Sequence, residues 1–255
     1  MKGHLTLWGT SGSLGVPVVG CKCSVCLSGN SYNQRTRPCN LLHIDGKNFL
    51  IDVGPDFRLQ ALKYGLQKLD GLILTHTHFD HIAGLDDLRV FSFLENQPLP
   101  IFCSEVTKKE LKEFFFYLFT ENVKEKFTFH TFDPHTRYFE HKQLKMRFAF
   151  YHQIGMQVTG IRIGDLSFVT DVKTFDEDFL RLIDGSKTLV IGALEWKPTR
   201  AHLGLHEVID LAQQAKVQSC VVTHIGHELD HVITHENLPS FVRLAYDGMS
   251  LEFSL

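Results

Sequence analysis

The sequence predicts an α/β fold of four layers, in which two β-sheets pack face to face between outer layers of helices. Runs with the alternation of β-strands occur in both halves of the chain, and runs of helical periodicity lie between them. Two sheets covered by helices fit this distribution better than one parallel sheet does. With 255 residues, 44% of them hydrophobic, the chain can bury a sizeable core, and we predict a single domain over residues 1–255.

The strands are predicted from apolar or alternating runs that are bounded by turn residues. They are His4–Gly9, Asn40–Asp45, Asn48–Asp52, Gly71–His76, Pro100–Ser104, Lys126–Phe132, Gln143–His152, Gln157–Gly164, Leu166–Asp171, Thr188–Trp196, Ser219–His224 and Met249–Leu255. The helices are predicted from apolar residues three or four positions apart. They are Pro55–Leu66, Ile82–Glu95, Glu105–Asn122, Asp176–Ile183, Leu205–Ala215 and Glu236–Ala245.

The predicted helix Glu105–Asn122 carries a capping-box pattern at Thr107 and Glu110. Its apolar stripe, which predicts packing on a sheet, consists of Leu111, Phe114, Phe115 and Leu118. The aromatic run Phe114–Tyr117 places rings on more than one face of this helix. Core packing is the favoured interpretation, and the alternatives are a platform for a base or a self-association patch that would make a homodimer.

Charge and cysteine usage limit the classes of function. The formal charge of -3 gives no general attraction for nucleic acid, and the lysines of the 105–127 region alternate with glutamates. The N-terminus lacks the apolar core of a signal peptide, and no run is long enough to cross a bilayer. We therefore predict a cytoplasmic protein without membrane contact, whose six cysteines are thiols or metal ligands rather than disulfides.

Several potential metal ligands follow the strand that ends near residue 75. His76 and His78, two residues apart at a strand end, should point to the same side and bind one metal ion. The next turn brings Asp80 and His81 beside them as ligands for a second ion. Imidazole and carboxylate suit zinc, iron or manganese.

A second cluster lies near the N-terminus, where Cys21, Cys23 and Cys26 form a C-x-C-x-x-C run. In a reducing compartment such thiolates are typical zinc ligands, and three of them need a fourth ligand to close a tetrahedral site. Buried or redox-active thiols are the alternative interpretation. We predict that the loop at residues 20–27 binds zinc.

The segment Thr75–His81 resembles the HxHxDH signature of the metallo-β-lactamase superfamily, whose members have an αββα sandwich with a dinuclear metal site at one edge. The resemblance implies further ligands at the ends of later strands: His152 on the first ion, Asp171 bridging both ions and His224 on the second ion. An aspartate at the bridging position argues against antibiotic hydrolysis, because the zinc β-lactamases use a cysteine there.

The cysteine run together with the segments RTRPCNLLH, RAHLGLHEV, THIGH and YDGM is similar to the PhnP-like phosphodiesterases within this superfamily. With His224 assigned to the catalytic pair, His227 is the predicted fourth ligand of a Cys3His site. His231 has no comparable role and is predicted to lie on the surface. In RAHLGLHEV, His202 matches the histidine that assists the leaving group in the family, and His206 is expected to face solvent.

The resemblance implies a phosphoric diester hydrolase that uses two divalent ions, zinc or manganese with iron as an alternative, besides one structural zinc. The substrate would be a small phosphodiester, such as a cyclic ribose or nucleotide phosphate, opened to a monoester. A hydroxide shared by the two ions attacks phosphorus, Asp80 and Asp171 hold the ions, and His202 donates a proton to the leaving alkoxide.

Three alternatives remain at this point. A tRNase Z-like endonuclease would need a basic surface or a flexible arm for RNA, and neither is visible in the sequence. A glyoxalase-II-like thioesterase would leave the cysteine run and RAHLGLHEV without a role. A non-catalytic accessory protein of the PqqB type also carries a cysteine-rich N-terminal motif, but the set of catalytic ligands argues against it. We expect no stable binding of nucleic acid.

Overall fold

A computed structural model describes residues 2–120 and 125–255, and fourteen strands form its centre. In chain order, β1 to β14 are Lys2–Gly9, Cys39–Ile44, Lys47–Val53, Gly71–Ile73, Leu99–Cys103, Phe127–Thr131, Tyr138–His141, Leu144–Gln153, Met156–Ile163, Leu166–Val169, Thr188–Gly192, Ser219–Thr223, Val242–Leu244 and Met249–Ser254. One sheet has the order β14-β1-β2-β3-β4-β5-β6, and the other has the order β13-β12-β11-β10-β9-β8-β7. Both sheets mix parallel and antiparallel pairs.

Helices cover the outer faces of the two sheets. In chain order, α1 to α7 are Phe57–Tyr64, Phe79–Ile82, Arg89–Glu95, Glu105–Phe114, Glu177–Ile183, Leu205–Gln214 and His231–Glu236. The inner faces share one apolar core, to which the first sheet contributes Leu42 and the second sheet Phe148. The outer face of the first sheet packs on α1 and α4, and that of the second sheet packs on α5 and α6. The predicted αββα fold is confirmed.

Local capping explains where several helices begin and end. α1 has Gly65 as its C-cap, which adopts a φ of 67° that favours glycine. α4 has Ser104 as its N-cap, whose hydroxyl accepts the Thr107 N–H, so the capping box predicted at Thr107 and Glu110 is wrong. α6 has Gly204 as its N-cap, and Glu207 accepts the Gly204 N–H at 3.0 Å.

Three predicted helices differ from the structure. The segment predicted as Glu236–Ala245 contains only the last residue of α7 and then β13, because Pro239 stops the helix and Val242 pairs with Cys220 of β12. The segment 82–95 is broken at Gly84, where an added Cβ would lie 2.5 Å from the Gly54 carbonyl oxygen. In the segment 105–122, α4 ends at Phe114 and a 3-10 turn covers 116–118, while residues 121–122 lie outside the described residues.

The aromatic run after α4 is divided between core and surface. Phe115 is buried, whereas Phe114, Phe116 and Tyr117 are exposed. Core packing therefore explains one of the four rings. Across residues 2–120 and 125–255, none of the helices is long and apolar enough to span a membrane.

Candidate metal centres

The ends of three strands meet at one edge of the two sheets. The loop after β4 leads through His76 and His78 into α2, the residue after β10 is followed by Asp171, and β12 is followed by His224. Asp171 and His224 have positive φ angles of 54° and 56°. Such angles are rare for residues other than glycine, and they often occur at functional sites. The structure thus brings most of the predicted ligands to one edge.

One group of donor atoms is formed by Asp80, His81, Asp171 and His224. Asp80 Oδ2 lies 3.5 Å from His81 Nε2 and 3.3 Å from His224 Nε2. Asp171 Oδ2 lies 3.2 Å from His81 Nε2 and 3.5 Å from His224 Nε2. Donors 2.0–2.2 Å from one ion would lie about 3–3.5 Å apart, so these four side chains fit a single divalent ion.

A second group is built around His76 and His78. His76 Nε2 lies 2.9 Å from His78 Nδ1, and the donor atoms of His76, His81 and Asp171 all lie within 4.8 Å of one another. Asp171 and His81 therefore both lie within reach of the two groups, and only the carboxylate of Asp171 has two oxygens with which it could bridge them. Thr75 Oγ1 contacts His76 Nδ1 at 2.9 Å, which leaves Nε2 of His76 as the ligand atom.

The structure does not bring the predicted ligand His152 to this site, because its side chain is exposed. Side chains alternate between the two faces of a strand, so the next residue of β8 faces the site instead. That residue is Gln153, which is 2% exposed and donates from Nε2 to Asp171 Oδ1 at 3.0 Å. Gln153 was not predicted from the sequence, because a shift of one residue along β8 decides which side chain faces the site.

Burial and charge oppose each other in this cluster. Burial would raise the pKa of Asp171, but the imidazoles of His224 and His81 lower it well below its ordinary value. Burial would lower the pKa of His81, but Asp80, Asp52 and Asp171 raise it well above its ordinary value. Three buried carboxylates thus attract positive charge, and a divalent cation can replace the proton of His81.

An unpaired imidazole nitrogen also indicates that these side chains fit two divalent ions. His81 Nε2 is buried and has no well-formed hydrogen bond among the described residues, although it faces two carboxylates. An imidazole nitrogen in this position suits a metal ion. The ligands would be His76, His78 and Asp171 for one ion, and Asp80, His81, His224 and Asp171 for the other.

Asp52 supports the site from the end of β3. Its Oδ2 accepts from His81 Nδ1 at 2.7 Å, and its Oδ1 accepts from the Thr75 N–H at 2.9 Å. A carboxylate of this kind fixes the tautomer and orientation of a ligand histidine. Asp52 was not predicted from the sequence as a site residue, although it lies near the end of a strand, where the predicted ligands also lie.

A cavity of about 330 Å³ opens beside the two groups. Its lining includes Ser13, His78, Phe79, Asp80, Gln153, Ile154, Asp171, His202 and His224. His202, predicted to assist the leaving group, is 7% exposed, and its Nε2 lies 2.9 Å from Gln153 Nε2. Burial lowers the pKa of His202 to about 4, and His224 adds to this shift while Asp171 opposes it. His206 is exposed, as expected.

The N-terminal loop forms a separate cluster with the segment after β12. The Sγ atoms of Cys21, Cys23 and Cys26 lie 3.3, 3.5 and 3.4 Å from Nδ1 of His227. Ligands at the usual Zn–S and Zn–N distances in a tetrahedron lie about 3.5 Å apart. The Val18 and Cys26 N–H groups donate to Cys26 Sγ and Cys23 Sγ, which stabilises thiolates. These four residues fit a structural zinc ion.

The three histidines of the segment Thr223–His231 therefore lie in three different environments. His224 faces Asp80 and His81, and His227 faces the cysteines. His231, expected on the surface, is only partly exposed, because Arg35 Nη2 contacts its Nδ1 at 3.1 Å and Tyr32 packs on its ring. Gly12 allows the N-terminal loop to approach His224, since a Cβ there would lie 3.2 Å from the imidazole.

The family profile described as "Beta-lactamase superfamily domain" matches residues 47–225. This chain belongs to the metallo-β-lactamase superfamily of metal-dependent hydrolases. The crystal structure of a new diphosphatase from the PhnP family superposes with a TM-score of 0.92 and 34% identity, over 99% of this chain and 98% of that chain. The predicted PhnP-like resemblance is confirmed.

Other relatives match less completely. An octanoyltransferase of Porphyromonas gingivalis is 31% identical over 259 residues, which are 95% of this chain but 50% of that protein, so the chain spans about half its length. Ribonuclease Z of Mycolicibacterium gilvum is 35% identical over 94 residues, 32% of this chain and 33% of that protein. Zinc-bound PqqB from Methylobacterium extorquens, at 18% identity and a TM-score of 0.78 over 97% of this chain and 99% of that chain, shares the fold.

Proposed function

We propose that this protein is a dinuclear metal-dependent phosphodiesterase that hydrolyses small phosphodiesters, such as cyclic ribose or nucleotide phosphates, to monoesters. The observation that carries the proposal is the position of Asp171 between the His76–His78 pair and the Asp80, His81 and His224 group, at the wall of an open cavity. Two bound ions would activate water and neutralise charge on the phosphoryl oxygens.

The side chains of this protein hold and orient that centre. Asp171 is fixed from two sides, because Gln153 Nε2 donates to its Oδ1 at 3.0 Å and Thr170 Oγ1 donates to its Oδ2 at 2.6 Å. His202 lines the same cavity and can donate from its ring to a phosphate or to a leaving oxygen. At pH 7 burial keeps His202 neutral, and the negative charge of a phosphodiester would favour its protonation.

The size and charge of the site favour a small substrate. A cavity of about 330 Å³ lies at the lower end of the range for small-molecule sites. The formal charge of -3 and the mixed charges of α4 offer no basic track for a long RNA. We therefore favour a mononucleotide-sized phosphodiester over tRNA, and we propose no nucleic-acid partner.

A diphosphate is the second candidate substrate class. The PhnP-family protein whose structure matches almost the whole chain is a diphosphatase. A phosphoanhydride and a phosphodiester present the same kind of phosphoryl centre to a pair of cations. The same side chains would hold either substrate, and only the leaving group would differ.

Purified protein should be assayed against bis(p-nitrophenyl) phosphate, a cyclic nucleotide, a nucleoside diphosphate, a thioester and a β-lactam. We expect turnover of the two phosphodiesters, and turnover restricted to the diphosphate would favour the second candidate. Exclusive hydrolysis of the thioester or the β-lactam, or turnover of none of these compounds by fully metallated protein, would contradict the proposal.

We expect His202→Ala to retain both ions and to lose roughly 10²–10⁴-fold in kcat on a phosphodiester with a poor alkoxide leaving group, the usual range for general acid catalysis. The loss should be much smaller with p-nitrophenolate, which departs without a proton. The basic limb of the kcat profile, which reports the substrate complex, should also flatten, because the negative charge of the bound substrate favours the protonated His202 that acts as the acid. His206→Ala, at an exposed position nearby, is the control.

Equal losses on both leaving groups would refute the general-acid role of His202. If the change appeared largely in KM for both substrates, His202 would instead bind the phosphate. Neither result would affect the assignment of the dinuclear centre.

A further inference from the structure

Gln153 is a buried polar residue in the wall of the site, and one of its two amide atoms has no partner. Its Nε2 lies 3.0 Å from Asp171 Oδ1 and 2.9 Å from His202 Nε2. Its Oε1 is buried and makes no hydrogen bond among the described residues. Buried amide oxygens nearly always accept a hydrogen bond. An unpaired amide oxygen in a residue that lines a cavity therefore indicates a missing hydrogen-bond donor or cation.

The ion position at His76 and His78 has room for such a donor. Two imidazoles and the shared Asp171 carboxylate would supply three ligands and a shared water or hydroxide a fourth, whereas catalytic zinc can expand to five ligands and manganese takes up to six. His152, the residue expected to complete this set, is exposed. Asp80 and His224 lie against the other ion position, with 3.3 Å between their donor atoms.

We infer that Gln153 binds the same divalent ion as His76 and His78 through its amide oxygen. The inference rests on the proposed two-ion centre and specifies which side chain completes it. With Nε2 donating to Asp171 Oδ1, Oε1 is the amide atom that is free to bind a cation at the cavity that Gln153 and His78 both line. Only the oxygen has the electron pair that a cation requires.

This ligand makes the two ions unequal. The ion bound by Asp80, His81 and His224 also has Asp171, and therefore contacts two carboxylates. The ion bound by Gln153 contacts only the shared carboxylate and has a neutral amide in place of a third imidazole. An amide oxygen is a harder and weaker ligand than imidazole, so this ion should bind less tightly and should favour manganese over zinc relative to a three-histidine site.

Titration of Mn²⁺ into the chelator-treated protein, followed by electron paramagnetic resonance, measures both binding events without an activity assay. We expect the cysteine cluster to retain a zinc ion under these conditions, and elemental analysis checks this. We expect wild-type protein to bind one Mn²⁺ tightly and a second more weakly. Gln153→Ala should weaken only the second event by about tenfold or more, since even an outer-sphere partner of a ligand contributes ~10–100-fold in affinity.

Gln153→Glu separates ligation from a purely positioning role. A glutamate oxygen is an anionic ligand, so this variant should tighten the second event. If Gln153 acted only by donating its amide N–H to Asp171 and His202, a carboxylate in its place would repel Asp171 and weaken both events. The matched control is His152→Ala, at the adjacent exposed position, which should leave both events unchanged.

Unchanged Mn²⁺ binding in Gln153→Ala and Gln153→Glu would overturn the inference while leaving the two-ion centre intact. Weakening of both events in Gln153→Glu would overturn it in favour of the positioning role. If wild-type protein bound fewer than two ions at the histidine and aspartate ligands, the proposed function itself would fail, and the assignment of Gln153 would fail with it.

Discussion

Replacement of Asp80 by alanine is expected to abolish phosphodiester turnover while leaving the fold largely intact. Asp80 Oδ2 lies 3.3 Å from His224 Nε2 and 3.5 Å from His81 Nε2, so the variant removes one of the two carboxylates of this ion position. We expect kcat to fall by more than about 10³-fold, beyond the ~10–100-fold cost of losing an outer-sphere partner. His81→Ala should have a similar effect on turnover.

The melting temperature of Asp80→Ala should stay close to that of wild-type protein, because the side chain lies at the cavity wall and the variant also removes a negative charge from a carboxylate cluster. Asp87→Ala is the matched control, since Asp87 is an exposed aspartate one turn beyond α2. Wild-type rates in Asp80→Ala with both ions bound would show that Asp80 has no part in the reaction.

Loss of the cysteine cluster is expected to lower the thermal stability of the protein, whereas loss of Asp80 is expected to abolish turnover. Cys21→Ser or His227→Ala removes one of four ligands that join the N-terminal loop to the segment after β12. Structural zinc sites supply ~10–16 kcal/mol of apparent binding free energy in zinc-finger peptides. Losing about 3 kcal/mol of such energy would lower the melting temperature of a domain of this size by about 6–12 °C.

Calorimetry with elemental analysis tests this division between the two sites. We expect lower thermal stability and solubility in Cys21→Ser, with activity falling as a secondary effect. Ser24→Ala, an exposed change within the same loop, is the control. Equal melting losses in Asp80→Ala and Cys21→Ser would contradict the assignment of separate catalytic and structural centres.

The sequence alone predicts the parts of the site that depend on short segments. His76, His78, Asp80 and His81 lie within six residues after a strand, so their convergence follows from local geometry. Cys21, Cys23 and Cys26 are similarly local. Asp171 and His224 were placed by the resemblance, and their positions at strand ends agree with it.

The sequence predicts less where long-range packing decides the outcome. The choice between His152 and Gln153 depends on which face of β8 meets Asp171, and a shift of one residue exchanges the two side chains. Asp52 contacts His81 only because β3 pairs with β4. β13 was predicted as helical because apolar residues in its region lie three or four positions apart. Its three residues form a strand only through pairing with β12, which the local pattern does not reveal.

The most direct test of the two-ion centre is elemental analysis before and after chelation, combined with the rate of phosphodiester hydrolysis. We expect about three ions per chain, one retained by the thiolates and two exchangeable, since closed structural sites release metal less readily than open catalytic ones. Phosphodiester hydrolysis should be lost when the two exchangeable ions are removed and should return when they are restored. Full turnover by protein that retains one exchangeable ion or none would contradict the account, as would fully metallated protein with only two ions that Cys23→Ser binds equally well.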